Sequence, residues 1–246
     1  MLSVREATRH FGGLTAVSNV TFDVAEREIL GVIGPNGAGK TTFFNLVSGA
    51  IPLSSGSITF DGRSIGGLPP HRIAHLGIGR TFQIVRPFGE LSVLDNVLAG
   101  MGAVPCKSLL GALRLYKRQK YLDQARAILA STRLMAVEND VARNLPLGLL
   151  RRLEIARALA LQPKLLLLDE SFSGLSHKET ESLSELVLEL RKNGMTILLI
   201  EHNMNITMNL CDRLVVLDRG QKIAEGSPDA IKLDDAVIAA YLGAED

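Results

Sequence analysis

The sequence predicts an α/β fold with a mainly parallel sheet. Short aliphatic runs alternate with helix-like stretches, and the longest, Leu165 to Leu168 and Ile197 to Ile200, have the length of buried strands. A glycine-rich loop, Gly34-Pro35-Asn36-Gly37-Ala38-Gly39-Lys40-Thr41, stands between one such run and a helix-like segment. Between about residues 90 and 160 the strand runs vanish, which predicts a helical insert in the sheet domain.

Residues 28–33 read as the strand before the loop, and Lys40 to Ser48 as the helix after it. Residues 57–60 form a strand ending in the Asp61-Gly62 turn signal. Residues 107–133 and 149–162 read as helices of the insert, and the cluster Arg114, Lys117, Arg118, Lys120 as a solvated face. Strands recur at 165–169, 196–200, 213–217 and 221–225, the last pair joined by the hairpin signal Asp218-Arg219-Gly220. Ser176-His177-Lys178-Glu179 has capping-box spacing and opens a helix with Leu183, Leu186, Val187 and Leu190 on one face. Ser227-Pro228 starts another helix. The expected division is a core of 1–88 and 162–246 around a helical subdomain of 89–161, with no internal repeat or linker.

At 246 residues, with 27 basic against 26 acidic side chains, the chain buries a sizeable core and offers no global charge for nucleic acid or an anionic membrane surface. Cys106 and Cys211 are far apart and read as reduced thiols of a cytosolic protein. The N-terminus lacks the apolar stretch of a secretory signal, and no run reaches the ~18 apolar residues of a membrane span. Work at a membrane would then go through a partner.

The loop carries the first chemistry. Gly37 and Gly39 permit a tight turn whose backbone N–H groups surround a polyphosphate, Lys40 supplies a cation for the β- and γ-phosphates, and the Thr41 hydroxyl reaches Mg²⁺. The following helix points its positive end at the phosphates. A chance match in a chain of this composition arises roughly once per hundred sequences, and the strand and helix around the loop lower that further. This is the loop of a P-loop NTPase. Asp169-Glu170 ends a buried strand at the sheet edge where α/β proteins bind ligands. Asp169 suits Mg²⁺, and Glu170 suits the water that attacks the γ-phosphate.

With these residues, further motifs in order resemble the ATP-binding cassette of ABC transporters over nearly the whole chain. The resemblance implies N-terminal antiparallel strands, ATP and Mg²⁺ as ligands, and a binding loop spanning Gly34 to Thr41 together with Thr42. It makes Phe11 the adenine-stacking aromatic, Gln83 the glutamine that touches Mg²⁺ and water and senses the membrane partner, and His202 the switch histidine at the γ-phosphate. Gly174, Leu175 and Ser176 fall in the family's D-loop. Arg80-Thr81-Phe82-Gln83, Val93 to Val97, Arg151 to Ala160 and Val237 to Gly243 look more closely like bacterial branched-chain amino acid import ATPases, although amide or urea importers remain open. That likeness implies a second cassette, two permease subunits, a periplasmic binding protein acting indirectly, and a place on the cytoplasmic face of the plasma membrane.

The pattern breaks at the signature. Where the family has Leu-Ser-Gly-Gly-Gln, this chain has Leu145-Pro146-Leu147-Gly148-Leu149-Leu150. Pro146 has neither hydroxyl nor N–H, and Leu149 and Leu150 replace amide side chains. Each charge-assisted hydrogen bond lost to phosphate costs about 1.5–3 kcal/mol. The expectation is an intact own loop and a weak signature for the partner's site, giving a heterodimer one competent site and a homodimer two weakened ones. The rival readings are a regulatory subunit of low turnover and a soluble ABC protein. Ribosomal relatives usually carry two cassettes, and DNA-repair relatives carry long heptad insertions absent here.

Overall fold

The computed structural model describes residues 1–81, 87–102 and 115–242. The chain opens with β1 (Leu2–Phe11) and β2 (Leu14–Val24), and β3 (Ile29–Ile33) leads through the glycine-rich loop into α1 (Lys40–Val47). Then come β4 (Ser55–Phe60), β5 (Arg63–Ser64), α2 (Pro70–Leu76) and β6 (Ile78–Arg80). The helical stretch holds α3 (Val93–Gly100), α4 (Leu115–Ser131) and α5 (Leu147–Leu159). Next are β7 (Leu165–Asp169), α6 (His177–Lys192), β8 (Thr196–Ile200) and α7 (Met204–Leu210). β9 (Arg213–Asp218), β10 (Gln221–Gly226), α8 (Pro228–Lys232) and α9 (Asp235–Leu242) complete the chain.

These strands form an antiparallel sheet, β2-β1-β4-β5, and a second sheet ordered β10-β9-β3-β8-β7-β6. The second sheet is parallel except for its β9–β10 hairpin. Its inner strands β3, β8 and β7 are buried on both faces, and alternate residues serve different cores. Leu165 and Leu167 pack with α1 and the antiparallel sheet, whereas Leu166 and Leu168 pack with α5, α6 and α7. A third cluster joins Val93 and Val97 of α3, Ala125 and Leu129 of α4, and Leu153 and Ala156 of α5. α5 thus has two apolar faces, because Ile155, Ala158 and Leu159 belong to the core under the parallel sheet.

Local chemistry sets the ends of the elements. The Ser176–Glu179 capping box forms, and Ser227 caps α8 ahead of Pro228. α5 begins at Leu147, two residues before the expected start, because Pro146 adopts the extended N-cap geometry and the Leu149 and Leu150 N–H groups both donate to its carbonyl. It ends before Gln162, which has φ 52° ahead of Pro163. The first part of the expected 107–133 helix lies outside the described residues, as do Cys106 and Arg114. Lys120 is exposed. Cys211 is buried, which pushes its thiol up to about 12. No helix among the described residues is long and apolar enough to cross a membrane.

Candidate active site

β3, β8 and β7 are parallel neighbours, so they end on one edge of the sheet, with β6 beside β7. The glycine-rich loop, Glu201-His202, Asp169-Glu170 and Thr81 therefore share that edge. Open α/β sheets bind ligands at this end.

The loop needs its glycines chiefly because other backbone crowds it. Gly34 has φ 149°, and a Cβ there would lie 2.0 Å from the Leu217 carbonyl oxygen. Gly39 has φ 98°, and its Cβ would lie 2.4 Å from the Ala16 oxygen. Gly37, at φ 79°, faces open space. The Ala38 N–H donates to the Pro35 oxygen at 3.2 Å, and Gly220 donates to the Ala38 oxygen at 3.1 Å. Asn36 and Thr41 are exposed, Pro35 and Thr42 half-buried. Lys40 is buried, with Nζ donating to the Gly34 and Pro35 oxygens at 2.7 and 2.9 Å. Burial pushes its ammonium pKa down, while Glu170 opposes the shift. The first turn of α1 holds no acidic residue, so its dipole end suits an anion.

Asp169 is buried at the end of β7. Its Oδ2 accepts from Arg80 at 2.8 Å, and its Oδ1 is buried with no hydrogen-bond donor among the described residues. Burial pushes this carboxyl up, and Arg80 pulls it back. Asp169 and Thr41 line one cavity of about 720 Å³. No group of three or more His, Cys, Asp or Glu among the described residues can hold a metal. A bare carboxylate oxygen and a hydroxyl nevertheless fit Mg²⁺, which takes few protein ligands alongside phosphates and water. Gln83 lies outside the described residues. Thr81, two residues before it, accepts the Asp169 N–H through Oγ at 3.2 Å.

Glu170 is half-buried and has φ 47°, a left-handed conformation that is uncommon without glycine and clusters at functional sites. Its N–H donates to the Ile200 oxygen at 3.0 Å, which sets it beside the end of β8. There the side chain of His202 is 56% exposed, and its Nδ1 lies 4.0 Å from Glu201 Oε2. Phe11, at the end of β1, is 45% exposed, and the Arg9 guanidinium lies 4.6 Å from its ring centroid. Its hairpin partner β2 supplies the Ala16 carbonyl against Gly39.

The signature and D-loop segments pack on one another. A Cβ at Gly174 would lie 3.1 Å from Leu147 Cδ2, and one at Gly148 would lie 2.6 Å from Glu179 Oε1. Arg151 donates to the Ser173 oxygen at 3.2 Å, a second tie between them. Leu145 is buried in the third cluster, where Leu149 and Leu150 also pack. Leu175 packs against the core under the parallel sheet. Pro146 caps α5 without a side-chain bond. The Ser176 hydroxyl donates to Glu179 Oε2 at 2.6 Å, so its one proton is used within its own chain.

Two ionisable side chains of the site, Arg80 and Glu201, carry no role in the sequence reading. Arg80 holds Asp169, and Glu201, 1% exposed, accepts the Phe172 N–H at 3.0 Å through Oε1. Burial pushes the Glu201 carboxyl up to about 7. Its one sequence signal is a carboxylate placed directly after a strand buried on both faces.

Residues 17–173 match the family model described as ABC transporter, and residues 221–246 match that of the branched-chain amino acid ATP-binding cassette transporter. The chain is 43% identical over 249 residues to the high-affinity branched-chain amino acid transport ATP-binding protein LivG of Salmonella typhimurium, covering 99% of this chain and 98% of that protein. It is 40% identical to BraF of Pseudomonas aeruginosa, with the same two coverages. Among solved structures, the ADP conformation of MJ1267, an ATP-binding cassette of an ABC transporter, superposes with a TM-score of 0.88 at 32% identity, covering 99% of this chain and 98% of that one. The loop, the acid pair and the shared sheet edge have these matches behind them: the chain belongs to the ABC transporter family, as an ATP-binding subunit.

Proposed function

We propose that this chain powers an importer of branched-chain amino acids or related small polar solutes, hydrolysing ATP between two cassettes and driving permease subunits in trans. The observation that carries the reading is the single sheet edge holding the phosphate loop, Asp169, Glu170 and His202. The names of its relatives and the match at 221–246 favour the cargo class.

The residues divide the work as phosphoryl transfer requires. Lys40 would leave the Gly34 and Pro35 carbonyls for the β- and γ-phosphates, while the backbone N–H groups of the loop supply further donors. Asp169, Thr41 and Gln83 would hold Mg²⁺, which when bound spreads the charge of the phosphates. Glu170 orients and polarises the attacking water, His202 contacts the γ-phosphate, and Phe11 stacks on adenine with Arg9 behind it. Of the signature segment Leu145 to Leu149, Gly148 and the start of α5 would meet the partner's nucleotide beside the Gly174 to Ser176 turn, while Leu145 and Leu149 pack inward. We read 1–88 and 162–246 as the ATPase core and 89–161 as the helical subdomain. The partners are a second cassette, identical or not, and integral membrane permeases at the cytoplasmic face. A periplasmic binding protein acts through those permeases, and nucleic acid has no part.

The 720 Å³ cavity runs beside apolar Ile73, Ala74 and Leu161 as well as charged Arg80, Glu154 and Arg157. That mixture suits a permease helix. The test is reconstitution in liposomes of the chain with its cognate permeases, second cassette and binding protein. ATP turnover should rise with leucine or valine in the presence of the binding protein. Stimulation by urea or a short amide instead would move the cargo class, and turnover indifferent to the permeases would overturn the transport reading.

A further inference from the structure

Arg80 ends β6 and is largely buried, with 11% of its side chain exposed. Its guanidinium bridges two elements. Nη2 donates to Asp169 Oδ2 at 2.8 Å. Nη1 donates to Asn45 Oδ1 at 2.8 Å and to Ser48 Oγ at 2.6 Å, at the C-terminal end of α1. The guanidinium carbon also lies 5.9 Å from the Phe44 ring centroid. A planar fork anchored in this way leaves little freedom to the carboxylate it holds. The two oxygens of Asp169 are thereby made unlike. Oδ2 is committed to Arg80, and Oδ1 is buried without a donor among the described residues; Asp169 and Thr41 line the same cavity. A bare buried carboxylate oxygen is costly, and a cation or its bound water relieves the cost.

We propose that Arg80 is a positioning residue for the metal carboxylate, turning one oxygen of Asp169 to itself and presenting the other to hydrated Mg²⁺ beside Thr41. The inference rests on the Mg²⁺–ATP reading of the site. Its anchors lie at the far end of α1, which begins at the phosphate loop, so Arg80 registers the carboxylate to that loop through α1 as well as through the sheet. A cation near a metal site also repels the metal. Here Asp169 neutralises that cation, and without the fork the carboxylate would be free to turn away. Positioning therefore outweighs repulsion. Lysine is a poor substitute, since one ammonium lacks the fork that reaches Asp169, Asn45 and Ser48 together.

The test uses the whole chain and a non-hydrolysable fluorescent ATP analogue, titrated with and without Mg²⁺, with Mn²⁺ binding followed by electron paramagnetic resonance. Arg80→Met should keep the metal-free affinity yet need about tenfold more metal, a typical effect of losing an outer-shell partner. Arg80→Lys should fall between it and the parent, and the double variant Asn45→Ala/Ser48→Ala should need about threefold more. An unchanged or lowered metal requirement in folded Arg80→Met overturns the inference, as does an equal loss with and without metal. Where circular dichroism shows Arg80→Met unfolded, the Asn45/Ser48 variant decides, and an unchanged metal requirement there overturns it. Failure of the parent chain to bind the analogue at all would overturn the nucleotide reading itself.

Discussion

Phe172 donates its backbone N–H to Glu201 Oε1 over 3.0 Å, joining the turn after Asp169-Glu170 to the end of β8. A carboxyl group is thereby buried beneath the sheet edge that holds Asp169 and Glu170, where burial raises its pKa and the negative charge of Glu170 adds to the shift. The Phe172 N–H opposes it.

The sign of the pH dependence follows. The Glu201 carboxyl is raised from 4.5 to about 7, so its contribution to stability is fully present below 4.5 and is lost as pH rises through 7. Glu201→Gln keeps the acceptor for Phe172 and removes the ionisation. Its stability advantage over the parent should grow by about 3 kcal/mol between pH 4.5 and 8. Urea melts across that range check it, and parallel curves for the two proteins would refute it.

Glu170→Gln retains the side-chain shape at a left-handed backbone position but removes the carboxylate proposed to polarise the attacking water. Turnover should fall by about a hundredfold or more while ATP binding persists, leaving a trapped, closed dimer. Phosphate release and gel filtration with ATP would report both. Normal steady-state turnover would remove Glu170 from its assigned role.

Lys40→Ala deletes the cation that now bonds to Gly34 and Pro35. Nucleotide affinity should drop by about tenfold to a hundredfold, the size of one or two charge-assisted bonds. Calorimetry measures it directly.

The signature predicts a gain. Pro146→Ser with Leu149→Gln restores a hydroxyl and an amide where the partner's phosphate would lie. Turnover of the isolated chain should rise by roughly tenfold or more. Leu149 packs on the third apolar cluster, so the double variant should also lose about 1 kcal/mol of stability. Unchanged turnover would mean that backbone amides alone make this contact, and robust turnover before substitution would remove the asymmetry between the chain's two halves of a site.

The parallel sheet was legible in the sequence because its strands are apolar on both faces, and the loop, the capping box and the last hairpin carry strong local chemistry. The first hairpin was harder. Glu6 and Asn19 take φ 50°, and the pairing of β1 with β2 shifts register between Val4 and Ala7, so the apolar alternation is broken. β6 is three residues long and is a strand only because β7 lies beside it. Arg80 and Glu201 gain their roles from partners 89 and 29 positions away in the chain. Leu149 and Leu150 read as lost amides, and the fold shows what was gained instead, packing against α3 and α4.

α5 carries the signature at one end and is wedged between two apolar cores along its length. No glycine or proline interrupts it between Leu149 and Leu159, so it has no built-in hinge. From Gly148 to Leu159 it is a stiff rod about 17 Å long. A tilt of about 10° about its far end would sweep Gly148 through roughly 3 Å, the span of one hydrogen bond. Mechanical leverage, rather than local loop motion, would then decide when this chain's signature touches a neighbour's phosphate.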